Sequence, residues 1–72
     1  MNEKEKLALL EEIMELNEGT LSVDDVLEDY VEWDSITALS LIAVMDEKFH
    51  KTISGENIKN MKTVSDVLEE MK

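Results

Sequence analysis

The sequence predicts an all-α fold: a four-helix bundle with three longer helices, one short helix and a long loop between the first two. Apolar residues recur at helical spacing in several separate stretches. Residues that cap helices stand in front of those stretches. Proline is absent, aromatic residues are limited to one Trp, one Tyr and one Phe, and there are five methionines, a composition that suits helices.

The first helix is expected over about Asn2 to Asn17. Asn2 can cap it, and Glu5, three positions on, completes a capping box. Leu7, Leu10 and Met14 form one stripe. Leu9, Ile13 and Leu16 widen that stripe to roughly half the circumference at ~100° per residue. Glu18-Gly19 is expected to end the helix, because glycine accepts the left-handed conformation found there. Residues 19 to 34 are long for a connection between helices. They are not featureless: Leu21, Val23, Val26, Leu27, Tyr30, Val31 and Trp33 can pin the segment across a bundle. Ser22 with Asp25 can open a short helical turn near Val26.

The second clear helix runs from Ser35 to about His50, with Asp34 as its cap. A short helix follows Ser54 and covers Glu56 to Asn60. The last starts on Thr63 as cap, with Asp66 three residues on, and continues through Val64, Val67 and Leu68 to Met71. Ile42, Met45, Phe49, Ile53, Ile58, Met61, Val64 and Leu68 are the expected core.

Seven Lys and Arg against 18 Asp and Glu leave a formal net charge of −11 on 72 residues. That length fits a single small domain over residues 1–72. Cysteine is absent, which excludes disulfides, thiolate catalysis and cysteine-ligated zinc; a single histidine excludes a His-rich metal site. No apolar run follows the N-terminal charges, so no secretory signal is expected, and no stretch approaches the ~18 apolar residues of a membrane span. A cytoplasmic monomer is the expectation. The charge argues against nucleic acid and anionic membranes as partners and for basic protein surfaces. Hydrophobic residues make up 43% of the chain, too many for a disordered acidic tail.

The Ser35–His50 helix has two apolar faces. Ala38, Leu41, Ile42, Met45 and Phe49 cluster at ~100° per residue as a core stripe. Ile36, Leu39 and Ala43 cluster elsewhere, among Ser40, Asp46, Glu47 and His50. This second patch is either a set of scattered surface apolars or a docking face, apolar at its centre and acidic at its rim.

The helix opens on Trp33-Asp34-Ser35-Ile36. A serine after aspartate at a helix start is ordinarily capping chemistry. Here it combines with an acidic helical domain of 72 residues and with further landmarks. Asp34-Ser35-Ile36, the run Leu41 to Met45 followed by Asp46-Glu47-Lys48-Phe49, then Ile53, and Thr63-Val64-Ser65-Asp66 together resemble the acyl carrier protein family, without a gap from Glu32 to Met71. The first 31 residues match it only in pattern.

The resemblance implies a carrier and not an enzyme, with no catalytic residue and no metal ligand. It implies 4′-phosphopantetheine, donated by coenzyme A through a Mg²⁺-dependent phosphopantetheinyl transferase and held on Ser35 by a phosphodiester. The terminal thiol of that arm carries acyl or aminoacyl groups as thioesters. The implied partners are that transferase and acyl- or aminoacyl-loading and acyl-transferring enzymes with basic patches. They would dock on Asp34, Ile36, Thr37, Leu39, Ser40, Ala43, Asp46 and Glu47. The residues around Ser35 agree with modification by another enzyme. The one histidine, His50, lies about four turns away at ~1.5 Å per residue, so no adjacent base activates the serine. Trp33 reads either as a plug anchoring the loop or as a cofactor contact.

Several positions depart from the fatty-acid carrier pattern. Thr37 and Ser40 stand where aspartate and glutamate are common, Glu32-Trp33 where glycine precedes the motif, and Ser54 where proline often precedes the third helix. Trp-Asp-Ser is more similar to stand-alone carriers of specialised lipid, polyketide or peptide pathways than to the housekeeping fatty-acid carrier, which is the alternative. A reading from a different class is an acidic adaptor without a prosthetic group. Another is a calcium module built on Asp24, Asp25, Glu28 and Asp29, which lacks the spacing and central glycine of an EF-hand loop.

Overall fold

Each helix begins on a side chain that accepts the backbone N–H three residues on, satisfying a donor that the helix itself leaves unpaired. In the computed structural model, which describes residues 1–72, the helices are α1 (Glu3–Ile13), α2 (Ser35–Phe49), α3 (Gly55–Lys59) and α4 (Val64–Glu70), with a 3-10 turn at Leu27–Asp29. The caps are Asn2, Asp34, Ser54 and Thr63. Three of them form reciprocal boxes, with Glu5, Asn57 and Asp66. The all-α expectation holds, and α1, α2 and α4 are the longer helices. α2 packs on α1 and α3, and α4 packs on α1.

The end of α1 differs from expectation. The helix stops at Ile13, well before Gly19. Glu15 takes the left-handed conformation at φ 59°. Leu16 N–H donates to Glu11 O at 2.8 Å and Glu15 N–H to Glu12 O at 3.1 Å, the paired bonds of a Schellman ending. The early stop turns Met14 fully inward and sets Leu16 against the core. Gly19 serves a separate turn instead, with Thr20 N–H donating to Asn17 O at 3.2 Å and the glycine at φ 87°. α2 likewise closes on a residue other than glycine, His50, at φ 53°.

The loop between α1 and α2 is fastened at both its chain ends and its middle. Near its start, Leu21 is buried and its N–H donates to Glu11 Oε2 at 2.9 Å. Glu11 is itself only 3% exposed, a carboxylate kept inside by this bond. Further on, Leu27 N–H donates to Lys62 O at 2.9 Å, Val64 N–H to Asp25 O at 3.0 Å and Ser65 N–H to Val23 O at 3.0 Å. These three bonds sew the middle of the loop to the first residues of α4. Asp25 Oδ2 accepts from Ser22 N–H at 2.9 Å and from the Tyr30 hydroxyl at 2.7 Å. Those bonds hold the Asp25 carboxyl below the usual range, and the same contact pushes the Tyr30 phenol up. The N–H groups of Lys62 and Thr63 likewise hold the Asp66 carboxyl below the usual range.

The core gathers from all four helices and from the loop. Met45, Ile53, Ile58, Met61, Val64 and Leu68 are buried as expected, together with Leu10, Met14, Leu21, Leu27, Leu41, Val67 and Met71. Ile42 and Phe49 are only half-buried and pack against this cluster from its edge. One ion pair, Lys51 Nζ to Glu70 Oε2 at 3.0 Å, ties the segment after α2 to α4. It is part-exposed and contributes little.

Removing the buried acceptor tests the fastening of the loop. Glu11→Met keeps volume but leaves the buried Leu21 N–H without a partner, at a cost of ~1–3 kcal/mol. At ~4–8 °C per kcal/mol for a domain of this size, the melting temperature should drop clearly. Glu11→Gln, which keeps an acceptor, should recover most of the loss. A Glu11→Met melt that matches wild type would show that this bond holds nothing.

Candidate functional site

The features singled out in the sequence converge on the start of α2. Ser35 is its first residue and is exposed. Asp34, just outside the helix, accepts Thr37 N–H on Oδ1 at 2.9 Å, and its carbonyl accepts Ala38 N–H at 2.9 Å. The cap therefore uses one carboxylate oxygen to hold the first turn and leaves the serine hydroxyl facing solvent. His50 lies at the far end of α2, so no histidine stands near Ser35.

Of the eight expected docking residues, Asp34, Ile36, Leu39, Ser40, Ala43, Asp46 and Glu47 are exposed. Ile36 is 73% and Leu39 68% exposed, which makes the second apolar face of α2 a real surface feature. Thr37 departs from that set: it was expected on the exposed docking face, yet it is only 7% exposed. Its hydroxyl donates to Glu32 O at 2.6 Å. A signal for this was present, since Thr37 shares an i, i+4 row with Leu41 and Met45, both fully buried. Val31 departs in the other direction. It was expected to pin the loop, yet it is 88% exposed, the most exposed large apolar side chain of the chain. It adds an apolar residue to the surface just ahead of Ser35.

A groove of about 430 Å³ opens between α2 and α3 beside Ser35. Trp33, Ala38, Leu39, Ile42 and Ile58 line it, with Asp34, Ser35, Gly55 and Lys59 around them. Trp33 is half-buried against the core and at the same time forms a wall of this groove. A second groove of about 420 Å³ lies between α1 and α2, but Glu12, Glu15 and Lys48 make it more polar and Ser35 is not part of it. Asp24, Asp25, Glu28 and Asp29 are not brought together as a set of ligands for a cation.

The family model described as the phosphopantetheine attachment site matches residues 7–71. The chain belongs to this family. It is a carrier protein, and the family's 4′-phosphopantetheine is attached covalently. A carrier domain is not catalytic; it works with a phosphopantetheinyl transferase and with acyl-handling enzymes. No curated protein and no solved structure matches the chain at a significant level. No helix of the carrier is long and apolar enough to cross a membrane. The start of α2 carries an exposed hydroxyl, Ser35, with an apolar groove beside it, a donor of the chemical type that such an attachment uses.

The burial of Thr37 yields a direct test. Thr37→Asp puts a carboxylate where the chain has a packed hydroxyl and removes the bond to Glu32 O. The cost should be ~1–3 kcal/mol or more, read as a lower melting temperature. Ser40→Glu, on the exposed side of the same helix, should stay within ~0.5 kcal/mol of wild type. Equal melts for the two variants would place Thr37 on the surface after all.

Proposed function

We propose that Ser35 is the attachment site and that the carrier presents acyl or aminoacyl thioesters to the enzymes of a specialised biosynthetic pathway. The observation that supports this reading most is the position of Ser35, exposed on the first residue of α2 at the edge of an apolar groove. When attached, the arm supplies a terminal thiol that holds acyl groups as thioesters. The chain's own residues anchor, orient and recruit. Ser35 Oγ is the anchor, and with no histidine near it, its proton is taken during the transferase reaction. Asp34 keeps the first turn formed. Val31, Ile36 and Leu39 give an encountering enzyme an apolar centre, and Asp34, Asp46 and Glu47 give it charges. With a net charge of −11, attraction to a basic patch steers the encounter and the apolar centre holds the docked pair.

The groove favours cargo with an apolar portion. Its walls are Trp33, Ala38, Leu39, Ile42 and Ile58, and the one cation around it is Lys59. A wholly polar aminoacyl group would gain little there and would stay outside. The case for a specialised pathway rests on Ser40 more than on Thr37, because only Ser40 of the two faces solvent. One missing rim charge is worth ~0.2–1 kcal/mol, up to about fivefold in affinity.

Intact mass tests the attachment site. Apo protein incubated with coenzyme A, Mg²⁺ and a broad-specificity transferase should gain one phosphopantetheine, and Ser35→Ala none. Modification at Ser22, Ser40, Ser54 or Ser65 would overturn the assignment. The pathway reading has its own assay, on holo protein with a housekeeping malonyl transferase. Ser40→Glu should raise specific activity over wild type by up to about fivefold, and the gain should shrink in high salt. Wild type already performing like the housekeeping carrier would return the protein to fatty-acid synthesis.

A further inference from the structure

Only two polar residues of the chain are buried, Glu11 and Thr37. Glu11 holds the start of the loop. Thr37 lies two residues past Ser35 and is tied twice to residues that precede the serine. Its N–H donates to Asp34 Oδ1 at 2.9 Å, which is the ordinary capping bond. Its Oγ1 donates to Glu32 O at 2.6 Å, which capping does not require. The second bond closes a ring that runs from Glu32 through Trp33, Asp34, Ser35 and Ile36 back to Thr37. The ring is braced from outside, where Trp33 N–H donates to Tyr30 O at 3.1 Å.

We infer that Thr37 is a positioning residue for attachment of the arm: its buried hydroxyl latches the loop to α2 and so fixes the direction in which Ser35 presents its own hydroxyl. This rests on the reading of Ser35 as the attachment site. Thr37 does not touch the reacting atoms. A serine at a loop–helix joint sits where helices fray, with only the cap to hold it. The Thr37 hydroxyl removes that freedom by holding the residue three positions before the serine from a position two residues after it. Orientation of this kind bears on the rate of the reaction and not on binding of the donor, since a misplacement of ~1 Å costs on the order of 10²-fold.

The test is steady-state transfer from coenzyme A by a phosphopantetheinyl transferase to wild type, Thr37→Val, Thr37→Ser and Asn2→Ala. Thr37→Val keeps the shape and loses the hydroxyl; Thr37→Ala serves as a second variant without the hydroxyl should the first not fold. Asn2→Ala removes the cap of α1, far along the chain from Ser35, and controls for lost stability. With Thr37→Val, kcat should fall about tenfold while KM for coenzyme A stays at the wild-type value. Thr37→Ser should restore kcat to within about twofold, because it restores the donor. Asn2→Ala should lower the melting temperature and leave kcat unchanged. The inference is overturned if the hydroxyl-free variants keep wild-type kcat, if Thr37→Ser is as slow as Thr37→Val, or if Asn2→Ala slows in step with its melting temperature. Wild type that stays unmodified, or is modified at another serine, overturns the Ser35 reading itself. That outcome is distinct from failure of the latch, in which Ser35 is modified at one rate with or without the Thr37 hydroxyl.

Discussion

The architecture depends on backbone polar groups in a long irregular segment finding partners away from water. A loop that crosses a bundle carries N–H and C=O groups that no helix satisfies, and burial without partners is costly. Here the seam from Val23, Asp25 and Leu27 to Lys62, Val64 and Ser65 meets that constraint. With the seam in place, Leu21 and Leu27 can enter the core, α4 gains a fixed starting point, and the chain reaches Trp33 and Asp34 at a defined place. The exposed serine at the start of α2 is thus set by interactions that begin some distance before it in the chain.

The legible parts of the fold were those encoded within a few residues. Asn2 with Glu5, Asp34 before Ser35, Ser54 before its short helix and Thr63 with Asp66 all announce helix starts through contacts three residues apart. The apolar rows of α2 and α4 announced Leu41, Met45, Val64, Val67 and Leu68 of the core. What stayed hidden acts at longer range or through the backbone. The seam to α4 is made by N–H and C=O groups that every residue possesses, so side-chain identity does not mark it. Glu11 reads as a surface acid until Leu21, ten residues on, folds back over it. The end of α1 was misplaced because glycine is the usual left-handed residue, whereas Glu15 adopts that conformation and lets Met14 and Leu16 reach the core.

The candidate site shows the same division. Ser35, its cap and the exposed pair Ile36 and Leu39 follow from a motif and a helical period. Thr37 was placed on the docking face by its position in the motif, yet it lies at the margin of a core stripe, and its partner, the Glu32 carbonyl, is invisible in a helical projection. The groove could not be foreseen either, because it depends on where α3 lies against α2. The acidity has a consistent meaning across both scales. Eighteen carboxylates crowd a chain of 72 residues, and where the structure internalises one, as at Glu11, a backbone donor compensates it. The rest stay at the surface, where they repel one another.

The length of α3 bears on how firmly the groove beside Ser35 is walled. It is five residues long, and Ile58 is its only buried side chain. Its capping box, between Ser54 and Asn57, is internal to the segment and travels with it. Among the walls of the groove, α3 is therefore the one with the least anchorage, while the opposite wall belongs to the 15-residue α2 with Leu41 and Met45 locked in the core. A short unit with one anchor can shift or open at far lower free energy than the whole domain unfolds. α3 is in this sense the light side of an otherwise rigid body, held to the core by a single isoleucine.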